Sequence, residues 1–452
     1  MRRSVAVGLG VAAVVGTAVA LASRRPTLMP WPTPVRRVFP AVVGGLVGGT
    51  TGVTTGMVAA LVERRYPRWQ GMVATLGVGA GIVGTGYVAG TRARRMIEDR
   101  NRQPDPALAG GPAAATVSGS PSSLVSMSEL GREGVRFVSF ATEAADITAV
   151  QGRPAASAPI RIFIGFDAAA EIEQRVALAM AELRRTGAFE RSVILVQAPA
   201  GTGYANSTPV DALELLTGGD CATVVVSFGL LPSFLSMRQV PQAARAQRLL
   251  LDAIAAELAT RARAPRVLLY GESLGASIQQ AAVPAGPTDL DAFGISGVLW
   301  VGTPGGQLSD AIHARCEAEA IVLDRAEDIP DRLPVPRPRV WFLEHIGDPV
   351  VRFRPALLLS RPAWLPTSGP RGRGVPDGMA FRPLITYLQV LVDTLFATDV
   401  EPGTFASAGH DYRADLGAAV LGAFDLTPPP VEGVVLNEVL AALEARRAAS
   451  FA

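Results

Sequence analysis

From Leu124 to the C-terminus, short apolar runs alternate with longer stretches in which apolar positions return every three to four residues. Arg161–Ile164, Ser192–Gln197, Thr223–Ser227, Arg266–Tyr270, Gly297–Val301 and Val340–His345 are runs of four to six residues, and several are rich in Val, Ile and Leu. That length and continuity predict strands buried on both faces. Between them, Glu171–Arg185 carries Ile172, Val176, Met180 and Leu183 at helical spacing, which predicts an amphipathic helix. Ser207-Thr208-Pro209 opens a second helix that runs through Leu216, and Gly218-Gly219-Asp220 ends it. Gln242–Thr260 and Leu384–Phe396 read as further helices. Apolar strands separated by helices predict an α/β fold with a mostly parallel sheet covered on both faces.

The N-terminal pattern is different. Residues 4–22, 39–61 and 71–90 are apolar runs without an internal charge, and arginines bracket them. Each approaches the roughly 20 residues that span a bilayer as helix, so residues 1–100 read as an all-α transmembrane helical region. The second and third runs are rich in Gly and Thr, a composition that lets two helices pack closely as a hairpin. The first run, behind Met1-Arg2-Arg3 and ending in Ala20-Leu21-Ala22, also fits a signal peptide. These runs predict a multi-pass cell-membrane protein with the bilayer as a partner. Residues 101–123 are rich in Pro, Gly, Ala and Ser and read as a linker. Residues 124–452 are then the globular domain.

Composition sharpens this picture. The 452 residues are 49% hydrophobic and only 18% charged, with a mean hydropathy of +0.29, against about a quarter charged in ordinary soluble domains. The 42 basic residues, all arginine, and 40 acidic residues leave +2, which offers no global charge excess for nucleic acid. Two cysteines, Cys221 and Cys316, make neither a disulfide framework nor a zinc cage. The histidines are His313, His345 and His410, with no HExxH spacing. No metal and no cofactor is expected.

Candidate chemistry begins where Arg266–Tyr270 runs into Gly271-Glu272-Ser273-Leu274-Gly275. This is G-x-S-x-G between a predicted strand and a helix-compatible stretch. Such a turn is tight enough to require glycine at both flanks, and it lifts the serine hydroxyl off the sheet. A serine hydroxyl needs a base to become a nucleophile, and the base needs an orienting acid. Downstream, in the order acid then histidine, come Asp348-Pro349-Val350 after a strand and Gly409-His410-Asp411 in a loop. Ser273, Asp348 and His410 are therefore the expected catalytic residues. The developing oxyanion needs backbone donors. The Leu274 amide is one, and Ala200 or Gly201, in the glycine-rich turn Pro199–Gly203, is the other. Counting back from the elbow, this turn follows the third strand. His345 is expected to pack or support, His313 to be surface or satisfied core, Glu272 to face the pocket, and Asp411 to point to solvent.

Several stretches in one order resemble a bacterial, actinobacterial-type α/β-hydrolase family with a multi-span N-terminal membrane domain and a C-terminal catalytic domain. They are residues 128–138, Pro159-Ile160-Arg161-Ile162, 181–193 in part, Gly201-Thr202-Gly203-Tyr204, Gly218-Gly219-Asp220, the elbow, Asp348-Pro349-Val350, Arg361-Pro362 with Trp364-Leu365, and Gly409-His410-Asp411-Tyr412. Ala200 stands where that family tends to have Thr, and Tyr204 where Trp is usual. The resemblance implies hydrolase chemistry near a membrane and supplies no substrate. The reading is a membrane-anchored, esterase- or lipase-like serine hydrolase acting on an ester or lipid-like small molecule. The alternatives are an acyltransferase with the same triad, or a catalytically silent binding or assembly module.

Overall fold

The computed structural model describes Thr27, Leu28, residues 91–397 and residues 403–451. The apolar runs at 4–22, 39–61 and 71–90 lie outside the described residues. Among those described, no helix is long and apolar enough to cross a membrane.

In chain order the elements are α1 (Met127–Ser139), α2 (Ala144–Gln151), β1 (Ile160–Ile164), α3 (Ile172–Arg185), β2 (Val193–Ala198), α4 (Thr208–Leu216), β3 (Cys221–Val226), α5 (Val240–Leu258), β4 (Arg266–Glu272), α6 (Leu274–Ala282), β5 (Ile295–Val301), α7 (Gln307–Cys316), β6 (Ala320–Leu323), β7 (Val340–Leu343), α8 (Ile385–Leu395), α9 (Arg413–Ala423) and α10 (Leu436–Ala449). The strands form one sheet in the order β1-β3-β2-β4-β5-β7-β6. All neighbours are parallel. Parallel strands need long crossovers, and intervening helices supply all but the one from β6 to β7. Every residue of β1, β2, β3 and β7 is buried, as expected of strands covered on both faces. The α/β expectation holds.

The chain divides into two compact units, residues 97–351 with 398–452 and residues 1–96 with 352–397. The first holds the sheet. In the second, the Leu384 N–H donates to Leu358 O at 3.1 Å at the start of α8, and Asp393 of α8 accepts the Leu28 N–H at 2.9 Å.

Three expectations are corrected. The segment read as a linker lies against the sheet instead: Val117 is buried and bridges Arg161 in parallel. The Ser118 N–H donates to Arg161 O at 3.0 Å, and Ser118 Oγ accepts the Phe163 N–H at 3.1 Å. An edge strand has unpaired backbone groups that must be satisfied, and this small-residue segment satisfies them on β1. Second, β6 was not expected. It has four residues, stands at the other edge and leaves Val322 59% exposed, so no buried-strand pattern marks it. Third, Val193–Ala198 is the second described strand rather than the third. It still lies beside β4, with Ala198 opposite Gly271.

Candidate active site

The turn after β4 carries the geometry that its sequence implies. Ser273 has φ +53° and ψ −123°, a left-handed conformation that costs a non-glycine residue about 1–3 kcal/mol. The backbone around it is crowded. A Cβ on Gly271 would stand 2.8 Å from Ala276 Cα, and one on Gly275 would stand 2.3 Å from the Ala198 carbonyl oxygen. Both glycines are therefore required by close approach. The Ser273 N–H donates to Val301 O at 2.9 Å, tying the turn to the tip of β5. Behind it, α6 is fastened by Gln279, which accepts from Trp300 Nε1 at 3.0 Å and donates to Val196 O at 2.9 Å.

Asp348 follows β7 and is fully buried. Its Oδ1 accepts the Val350 N–H at 2.8 Å. Its Oδ2 accepts from His410 Nδ1 at 2.7 Å and from the Tyr412 hydroxyl at 2.6 Å. A carboxylate only accepts, so Nδ1 carries the proton and Nε2 presents its lone pair. Burial pulls the His410 pKa down, but the charge of Asp348 and its hydrogen bond outweigh this, with Glu272 and Asp411 adding to them, and the ring is held above the ordinary histidine value.

His410 is brought to the same strand tip as Ser273. A Cβ on Gly302, the residue after β5, would lie 2.8 Å from His410 Cε1. Among the described residues neither Ser273 Oγ nor His410 Nε2 makes a hydrogen bond. Such contacts are often long in ligand-free sites and tighten when substrate is bound.

Leu274 opens α6, so its N–H has no acceptor within the helix. In the turn after β2, the Ala200 N–H is already donated to Tyr204 O at 2.8 Å, and the Gly203 N–H to Ala200 O at 2.9 Å. This closed turn removes Ala200 from the donor candidates and leaves Gly201. Gly201 is packed so closely that a Cβ would meet Leu231 O at 2.5 Å and Ser236 Oγ at 2.6 Å.

Glu272 is part-buried and accepts from the Tyr270 hydroxyl at 2.6 Å and Asn206 Nδ2 at 2.8 Å. Asp411 does not point to solvent: it is 7% exposed and paired with Arg413 at 2.7 Å, because a buried guanidinium beside it demands a counter-charge. His313 stacks on Phe342 at 3.8 Å and meets Glu344 at 3.1 Å. Tyr412, a further partner of Asp348, is marked in the sequence only by its place two residues after His410.

A family profile described as an alpha/beta-hydrolase family matches residues 160–429. The chain belongs to that alpha/beta-hydrolase family. The match spans the sheet from β1 through α9, and so includes the elbow, Asp348 and His410. Among solved structures, a cutinase-like protein from Cryptococcus sp. is similar at 16% identity, covering 36% of this chain and 80% of its own, with a TM-score of 0.23. No curated protein matches the chain.

Proposed function

We propose that this hydrolase cleaves an ester through Ser273, His410 and Asp348. The observation that carries the reading is the His410 Nδ1–Asp348 Oδ2 hydrogen bond of 2.7 Å, which fixes the tautomer whose Nε2 can take a proton, beside a serine held at φ +53°. Ser273 Oγ attacks the carbonyl carbon while its proton passes to His410 Nε2. The oxyanion is met by the Leu274 and Gly201 amides. His410 returns the proton to the leaving alkoxide, and the acyl group stays on Ser273. Water, deprotonated by the same nitrogen, then releases the acid. Asp348 keeps the imidazolium oriented and counter-charged throughout. No step calls for a cofactor. The three apolar N-terminal runs extend the proposal to an enzyme attached to the cell membrane that draws lipophilic esters from it.

Steady-state hydrolysis of p-nitrophenyl esters of increasing acyl length by the full chain in detergent tests the reading. The expected result is turnover that Ser273→Ala and His410→Ala each reduce by at least about 10³-fold. Turnover that survives either change overturns it.

A further inference from the structure

A second buried histidine stands behind the first, in surroundings of a different kind. His345, 3% exposed, follows β7 by two residues. Its Nδ1 meets the Gly409 carbonyl oxygen at 2.9 Å, and its Nε2 meets Asp415 Oδ2 at 3.1 Å. Ser407 Oγ lies 3.4 Å from Nε2, but its one proton is directed to Asp415 Oδ2 at 2.6 Å. Both ring nitrogens therefore face acceptors, and an imidazole satisfies two acceptors only when both nitrogens carry protons. The other groups around the ring agree with a cation there. Tyr412 stacks on it at 4.0 Å and accepts the His345 N–H at 3.1 Å, and the Tyr412 hydroxyl proton goes on to Asp348. Glu344, the preceding residue, turns to His313, and Asp324 accepts the Ile346 N–H at 2.6 Å. Burial would raise the Asp415 carboxyl, but hydrogen bonds from His345, Ser407 and the Ala326 N–H hold it below the ordinary carboxylate value, the state an ion pair requires.

We propose that His345 is an imidazolium bonded through Nδ1 to the Gly409 carbonyl and through Nε2 to Asp415, and that the pair is a positioning device for the catalytic base. One arm fixes the Gly409 carbonyl, next to His410 in the chain. The ring also stacks on Tyr412, which shares Asp348 Oδ2 with His410. Its role in the rate rests on the proposed ester hydrolysis, while its protonation state does not.

The test is long-range proton–nitrogen NMR of the full chain labelled with 15N-histidine, at pH 7. With only three histidines, single substitutions assign the signals. The expected spectrum shows both His345 nitrogens protonated, and only one of them in Asp415→Asn. A singly protonated His345 in the wild type overturns the ion pair. In the ester assay, Asp415→Asn and His345→Asn are expected to lower kcat by about tenfold or more, as for a base displaced by a fraction of an ångström, with KM within about twofold and the acid limb of the pH profile moved. A kcat and pH profile equal to wild type in a folded variant overturn the positioning role. A wild type that hydrolyses no ester and takes no fluorophosphonate sinks the hydrolase reading, and leaves the His345 spectrum to be judged by itself.

Discussion

Two regions of the sheet-bearing unit bury charge, and they do so to opposite ends. Under β1, Arg161 is wholly buried. It donates Nε and Nη2 to Glu214 at 2.6 and 2.8 Å, Nη2 also to Asp211 at 2.6 Å, and Nη1 to Phe137 O at 3.0 Å. Glu214 also accepts the Thr142 N–H at 2.9 Å, and Asp211 is joined by Arg447. Burial alone would lower the Arg161 pKa, but Glu214 and Asp211 together raise it, so the cation is locked in. At the tips of β4 and β5, by contrast, the backbone is strained at Ser273, and His410 has one nitrogen committed while the other is without a partner among the described residues. A network whose central guanidinium bonds through each of its nitrogens holds elements together, here β1, α1, α4 and α10. A network left one bond short has something to offer a substrate. The difference between structural and chemical burial of charge is this spare valence.

Substitutions can break or sharpen the contrast. The largest effect is expected from Asp348→Asn, which removes the charge that fixes the His410 tautomer. It should lower kcat/KM by about 10⁴-fold, with unfolding by denaturant close to wild type. Arg161→Met should do the reverse. It strands two buried carboxylates and should cost about 3–5 kcal/mol of stability, read from chemical denaturation, while the turnover of the molecules that remain folded stays within a few-fold of wild type. If Arg161→Met lost turnover without losing stability, the contrast would fail. Gly275→Ala lies between, since a methyl against the Ala198 carbonyl oxygen forces the elbow apart. The cost should be about 1–3 kcal/mol of overpacking, with a loss of turnover larger than that stability change explains.

The smallest effect is a displacement in pH. Catalysis needs neutral His410, so kcat/KM should fall as pH drops through the His410 pKa. Because Asp348 holds that pKa above the ordinary value of about 6.5, the acid limb should lie on the alkaline side of 6.5. In Asp348→Asn, with burial no longer opposed by that charge, the residual rate should show its limb at lower pH. An unmoved limb would contradict the electrostatic role given to Asp348.

How far these features could be read beforehand follows from the same physics. Strands such as Val193–Ala198 and Cys221–Val226 were legible because burial on both faces writes an unbroken apolar run. The edge strand β6, with one face to solvent, writes none. The elbow was legible because two glycines are fixed by backbone contacts two residues to either side of Ser273. Order and loop setting pointed to Asp348 and His410, whose side chains the fold joins by a hydrogen bond. Arg161 gave a fainter signal, a lone cation within an apolar strand whose partners Asp211 and Glu214 are spaced three apart on a later helix. Tyr412 and His345 were not legible as partners, since their hydrogen bonds join positions more than 60 residues apart. The docking of Val117 and Ser118 on β1 meets backbone groups of β1, Arg161 O and the Phe163 N–H, which leave no mark in side-chain pattern.

The central claim is that Ser273 is an activated nucleophile, and covalent labelling tests it most directly. The full chain in detergent would be exposed to a fluorophosphonate probe beside Ser273→Ala, and the adduct located by peptide mass mapping. The account predicts one adduct, on Ser273, absent from the variant and slowed in Asp348→Asn. A folded wild type that takes no label, or an adduct that persists in Ser273→Ala, would contradict it.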